Sequence, residues 1–339
     1  MIARLAALLA LTLLVPFGIR VLDTRYGPRD LSTSYLPALE GPRARSPFDR
    51  FPFDRLVHYR PDLVVIGDSM AGTRIDSAVL EQLSGRRVFA ILHPGSGSAF
   101  WYLALKNWVI ASGVRPQAVF IFFRDANLTD LMFRMDTTIT DRVALDREPD
   151  LNDAIASQAG EWRLQATRRT EALYRADRAR LWMVPRLGDA VAAAVAGRDH
   201  ASINGLLTSA NERFEFEHMR PIEAADIDTN DTSADFDRDV QGSVLPLMLR
   251  DARNAGISLY FVRVQRRPVA GRPPHQSAAL RAYVAKLADY VRAHGGLWRD
   301  DTGDPALSLE MYGDGDHLAR EARERYTSLF WNRVGPHLQ

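Results

Sequence analysis

Two short stretches hold residue types that can do chemistry together. The first is Gly67-Asp68-Ser69, entered directly from the apolar run Leu63-Val64-Val65-Ile66. The second is Asp314-Gly315-Asp316-His317, a D-x-x-H pair near the carboxyl end. A serine hydroxyl is a poor nucleophile until a base takes its proton. A histidine can be that base, and it needs a carboxylate to fix its tautomer and stabilise the imidazolium. Asp314 can supply that carboxylate locally to His317. Taken singly, each motif is common: a bare G-D-S arises in roughly one in ten chains of this length and a bare D-x-x-H in about half. Alone, Asp314 and His317 read as a helix cap and a surface histidine. Their context makes chance a poor account, because a strand leads into the first motif and a terminal helix follows the second.

The elements that must position these residues follow from the hydrophobic pattern. Leu63–Ile66 is apolar, β-branched and without alternation, as in a strand buried on both faces of a parallel sheet. A helix is expected over Ile75–Leu83. Val88–Leu92 reads as a second strand, ending in His93-Pro94-Gly95-Ser96-Gly97. Ser98–Ser112 reads as a helix with Trp101, Leu105 and Trp108 on one face. Ala118–Phe123 is a third buried strand, ending in Arg124-Asp125-Ala126-Asn127. The rhythm then stops, and residues 131–240 read as a helical insertion, with helices near 151–182 and 186–197 and an Asp-rich piece near 223–239. It resumes with a helix near 241–255, closed by Gly256, and a fourth strand at Ile257–Val264. Ser277–His294 reads as an amphipathic helix, 296–299 as a short strand, and 318–333 as a last helix opened by the D-x-x-H pair. Strands alternating with helices predict an α/β fold: three layers, α/β/α, around a parallel, flavodoxin-like sheet. In such sheets, sites form at the carboxyl ends of the strands, where Ser69 falls.

The composition limits the alternatives. The chain has 339 residues, 46% hydrophobic and 25% charged, which excludes a disordered chain and a polytopic membrane protein. Forty-three basic against 42 acidic residues give a net charge of +1, so nothing points to nucleic acid. Only Lys106 and Lys286 are lysines, the other basic residues being arginines. Cysteine is absent, which excludes a disulfide scaffold, thiolate catalysis and thiolate-bound zinc. The eight histidines include no H-x-H or H-E-x-x-H, so no metal site is expected. Gly95-Ser96-Gly97 lacks the third glycine of a dinucleotide loop, and no phosphate-cradling G-x-x-x-x-G-K-[ST] occurs, so no cofactor is expected.

Leu5–Ile19 is uncharged and flanked by Arg4 and Arg20. As a helix it spans roughly 22 Å, short of the ~30 Å hydrocarbon core, and the flanking arginines can snorkel to extend it. No clean A-x-A cleavage site precedes Arg20, so an uncleaved signal anchor over residues 1–22 is expected, with a cleaved signal peptide as the other reading. The remainder would lie outside the cytoplasm, on the inner membrane. Residues 23–60, rich in proline and charge, read as a spacer before a domain at 61–339.

The motifs resemble those of the SGNH-hydrolase superfamily, the GDSL-type esterases, over about 61–130 and 241–335. Gly67, Asp68 and Ser69 match its first block, and Asp314 and His317 its last. The resemblance implies that Gly95, in the loop after the second strand, and an asparagine after the third donate to an oxyanion. Here the third block reads Arg124-Asp125-Ala126-Asn127, so Asn127 meets the pattern only with a shift in register. The implied oxyanion hole is the Ser69 and Gly95 N–H groups with the Asn127 amide. Membrane-anchored relatives resemble alginate O-acetyltransferase accessory proteins and D-alanyl transfer proteins, which work with a multi-spanning membrane acyltransferase.

The expectation is therefore an extracytoplasmic serine-dependent esterase or O-acyltransferase acting on an acyl ester or an acylated cell-surface glycan. Transfer is weighted slightly above hydrolysis. Arg124, Asp125, Arg263 and Arg266, on loops at the predicted active edge, are candidate contacts to an anionic substrate. The rival expectation is an inactive α/β domain serving as an envelope scaffold or binding protein.

Overall fold

The computed structural model describes residues 14, 50–131, 150–151, 153–155, 234–268 and 276–338. The chain divides into two units, residues 1–47 with 136–213 and residues 48–135 with 214–339, and the second holds both motifs. Its elements run α1 (Arg50–Tyr59), β1 (Leu63–Gly67), α2 (Ser69–Arg74), α3 (Ser77–Ser84), β2 (Val88–Leu92) and α4 (Ser98–Ala104). α4 continues into a π-helical turn at Leu105–Ile110, followed by β3 (Ala118–Phe123) and α5 (Phe236–Asp239). Next come α6 (Leu245–Ala255), β4 (Ser258–Arg263), α7 (Ala278–Ala293), β5 (Leu297–Asp300) and α8 (Ala322–Val334).

The five strands form one sheet in the order β2-β1-β3-β4-β5, every pair parallel. Alternation along each strand fills both faces. Leu63 and Val65 of β1, Phe120 and Phe122 of β3, and Tyr260 and Val262 of β4 share a core with Met70, Ala71 and Ile75 around α2, Leu80 of α3, and Tyr326, Phe330 and Val334 of α8. The intervening residues Val64, Ile66, Val119, Ile121 and Phe261 are equally buried on the opposite side, where α4, α6 and α7 pack. Each such side chain stabilises the fold by about 1.5–3 kcal/mol on burial, which explains why the strands lack polar alternation. The result is the expected three-layer α/β/α architecture around a parallel sheet.

Several boundaries differ from the sequence expectation. Arg50–Tyr59, read as part of a spacer, is a helix that buries Leu56 completely. The helix expected over Ile75–Leu83 is α3, which starts at Ser77 because Asp76 caps it, accepting from the Ala78 and Val79 N–H groups, and a separate short helix, α2, precedes it and ends at the extended Ile75. α8 begins at Ala322, so the D-x-x-H pair precedes it on a separate loop. The apolar segment Leu5–Ile19 lies outside the described residues except for Leu14, and among the described residues no helix is long and apolar enough to cross a membrane. Most of the 131–240 insertion also lies outside them. Its last described piece, α5, seats Phe236 against Tyr283 and Tyr290 of α7.

Candidate active site

Ser69 stands at the switch from β1 to α2. Gly67 ends β1 with no room for a side chain: a Cβ there would lie 2.5 Å from the Ala71 Cβ. Asp68 is extended and caps α2, its Oδ1 accepting from the Met70 N–H at 2.8 Å. This cap turns the chain sharply and presents Ser69, half-buried, as the first residue of the helix.

His317 and Asp314 sit on a closed loop rather than on a helix. Tyr312 and Leu318 form an antiparallel bridge at its neck, and the Ala319 N–H donates to the Met311 carbonyl at 2.8 Å. Inside the loop the His317 N–H donates to the Asp314 carbonyl at 2.8 Å, bringing the two side chains to one side of a tight turn. Asp314 Oδ1 lies 2.9 Å from His317 Nδ1, and His317 Nε2 lies 2.9 Å from Ser69 Oγ. The carboxylate can only accept, so Nδ1 carries the proton and Nε2 is free to accept from the serine. Ser69 and a loop 248 positions later thus form one hydrogen-bonded chain at the carboxyl edge of the sheet. Burial holds the His317 imidazole below its usual pKa, against the opposing pull of the Asp314 hydrogen bond and charge. The imidazole is therefore neutral at pH 7, the form a general base requires.

Two carboxylates flank His317, and the geometry separates their roles. Asp316 is 3% exposed and turned away from the imidazole. Its Oδ2 accepts from Arg124 Nη1 at 2.6 Å and its Oδ1 from the Arg267 N–H at 2.9 Å. Its backbone carbonyl accepts from Arg74 Nη2 at 3.1 Å. Arg74 is fully buried, also donates to the Met70 and Gln265 carbonyls, and lies beneath the rings of Tyr312 and Tyr326. It joins α2, the loop after β4 and the His317 loop. Sequence reasoning missed both Arg74 and Asp316. The charge run in Asp314-Gly315-Asp316-His317 was the available signal for the second; for Arg74, one arginine among many, there was none.

Gly95 lies in the loop after β2, which runs beside the Ser69 turn because the His93 N–H donates to the Gly67 carbonyl at 3.0 Å. Its φ of +75° is a left-handed conformation that favours glycine. The loop is held further by Trp101 Nε1, which donates to Ser96 Oγ at 2.9 Å. After β3 the chain enters a turn in which the Asn127 N–H donates to the Arg124 carbonyl at 3.0 Å.

The expected anion-binding role of Arg263, Arg266 and Asp125 does not fit their placement. Arg263 is 2% exposed and donates to Asp125, Asp300 and Gln276. Arg266 donates to the other Asp125 oxygen. These groups pair with one another inside the protein, as buried charges must, Arg263 Nε alone lacking a partner among them. Arg124 is the most exposed of the set, with 24% of its side chain in solvent against 10% for Arg266. Among the described residues no cluster of three metal-ligating side chains occurs.

No family model and no curated protein matches the chain. Solved structures do resemble it. One, from Bacteroides fragilis, is of a proposed acylhydrolase, at 12% identity and TM-score 0.38 over 84% of this chain and 97% of that one. A GDSL-like lipase from Bacteroides thetaiotaomicron aligns at 11% identity and TM-score 0.37, over 91% and 100%. A proposed lipolytic protein of the G-D-S-L family from Desulfitobacterium hafniense aligns at 11% identity and TM-score 0.35, over 80% and 97%. At this degree of overlap, the functional reading rests on the site's own geometry.

Proposed function

We propose that the chain is a serine-dependent acyl-transfer enzyme. The observation that carries this reading is the continuous Ser69–His317–Asp314 hydrogen-bond chain, 2.9 Å at each link, at the carboxyl edge of a parallel sheet. Ser69 Oγ attacks the acyl carbonyl while its proton passes to His317 Nε2. Asp314 keeps the ring oriented and stabilises the imidazolium. The tetrahedral oxyanion collapses, the leaving alcohol takes the proton back from His317, and the acyl group remains on Ser69. A second hydroxyl, from water or from a sugar, then attacks with the same base, giving hydrolysis or transfer.

The finer part of the proposal is that this chemistry serves an acylated cell-surface glycan outside the cytoplasm, beside a multi-spanning membrane acyltransferase. It draws on the apolar Leu5–Ile19 segment and the proline-rich stretch after it. A tethered enzyme meets membrane-bound acyl donors at raised effective concentration. The test supplies the full chain with an activated acyl ester, with and without surface oligosaccharides. Acylated sugar detected by mass spectrometry and lost in Ser69→Ala supports transfer. Acid release at one rate whatever the acceptor assigns hydrolysis, and no Ser69-dependent turnover at all assigns a scaffold.

A further inference from the structure

Arg124 is the first residue beyond β3, and β3 is the strand beside β1. The two run in parallel with Ile66 opposite Ile121. The pairing ends there, and Arg124 and Ser69 each follow the carboxyl end of their strand, with the Arg124 charge close enough to Asp68, the residue before Ser69, to interact with it. The guanidinium reaches the other half of the site as well. Its Nη1 donates to Asp316, the residue before His317, at 2.6 Å, and its Nε lies 3.8 Å from Asp125. Burial would favour the neutral form, but the charges of Asp316, Asp125 and Asp68 outweigh it, so the group stays a cation. Its Nη2 has no hydrogen-bond partner among the described residues. One end of a planar fork is thus fixed on the residue before His317 and the other is left open.

The surrounding charges decide between two uses for such a group. Arg124, Arg263 and Arg266 face Asp125, Asp300 and Asp316, so the network is balanced and makes a weak trap for a charged ground state. A fixed N–H still stabilises negative charge that appears only as the carbonyl is attacked, because no reorganisation is needed at that moment. The turn brings the Asn127 N–H back to the Arg124 carbonyl at 3.0 Å, and of the two residues it is Arg124 whose side chain is tied to the His317 loop, through Asp316. We propose that Arg124, rather than Asn127, is the donor that the loop after β3 supplies to the oxyanion formed at Ser69. This rests on the acyl-transfer reading above.

The test uses the full chain and p-nitrophenyl acetate, a neutral ester, so that long-range attraction plays no part. Arg124→Ala lowers kcat by about 10²–10³-fold with KM held within about twofold, and its loss exceeds that of Asn127→Ala by about tenfold or more. Arg124→Lys keeps the charge beside Asp316 but lacks the second planar N–H, and it loses kcat to a similar extent. Circular dichroism checks each fold, and Arg124→Lys decides if the alanine variant unfolds. Either folded Arg124 variant keeping wild-type kcat while Ser69→Ala is inert overturns the inference, as does a loss confined to KM. A wild-type chain without Ser69-dependent turnover overturns the acyl-transfer reading itself and this inference with it.

Discussion

Gly67→Ala tests how the sheet aims its nucleophile. A Cβ at this position would lie 2.5 Å from the Ala71 Cβ and 3.4 Å from that of Phe122. Ordinary contact begins near 3.4 Å, so α2 and β1 must separate by about 1 Å. Neither neighbour can yield by rotation, since each contact is to a Cβ fixed to its own backbone. Overpacking of this kind costs about 1–3 kcal/mol. The same shift carries Ser69, the first residue of α2, away from His317, and a misplacement of about 1 Å costs about 10²-fold in rate. Urea denaturation and ester turnover measure the two losses. Ala71→Gly in the same chain removes the colliding methyl. The double variant regains most of the rate, while part of the stability stays lost because glycine within a helix costs about 1 kcal/mol. Wild-type stability and rate in Gly67→Ala, or no recovery of rate in the double variant, refutes the close-packing account.

The pH dependence of kcat/KM should show an acid limb with its midpoint below the usual imidazole value of 6.5, since burial favours neutral His317 and activity requires that form. Asp314→Asn removes the group that opposes this shift, so the limb moves to still lower pH, and kcat falls by about 10⁴-fold in a pH-rate series. Arg74→Ala removes three buried hydrogen bonds and leaves the Asp316 carbonyl without a donor, while Thr73 still serves the Met70 carbonyl and Tyr312 that of Gln265, and the variant unfolds at lower urea, by about 1–3 kcal/mol. Asp316→Asn weakens the tie between the His317 loop and Arg124; kcat falls by about tenfold or more while the urea midpoint moves less than in Arg74→Ala.

The sheet was legible because its strands are short, unbroken apolar runs whose burial on both faces dictates their composition. Ser69 and the His317–Asp314 pair were legible for a related reason. Each is fixed by local structure, one by a strand end followed by a cap, the other by a closed tight turn. What the sequence hid depends on distant contacts. The loop that carries His317 was mistaken for the start of a helix, because its form comes from the Tyr312–Leu318 bridge and not from propensity. Arg263 and Arg266 looked like surface cations until the partners from Asp125 and Asp300 were seen. Arg74 spans α2 and residues nearly two hundred positions later, a join that no local pattern encodes.

The most direct test of the account is the site of covalent modification. The full chain is treated with a fluorophosphonate and digested, and the modified peptide is sequenced by mass spectrometry. Nucleophilic Ser69 predicts a single phosphonate adduct on that residue, absent in Ser69→Ala and formed far more slowly in His317→Ala. A folded chain that takes up no adduct, or carries it on another serine, contradicts the account.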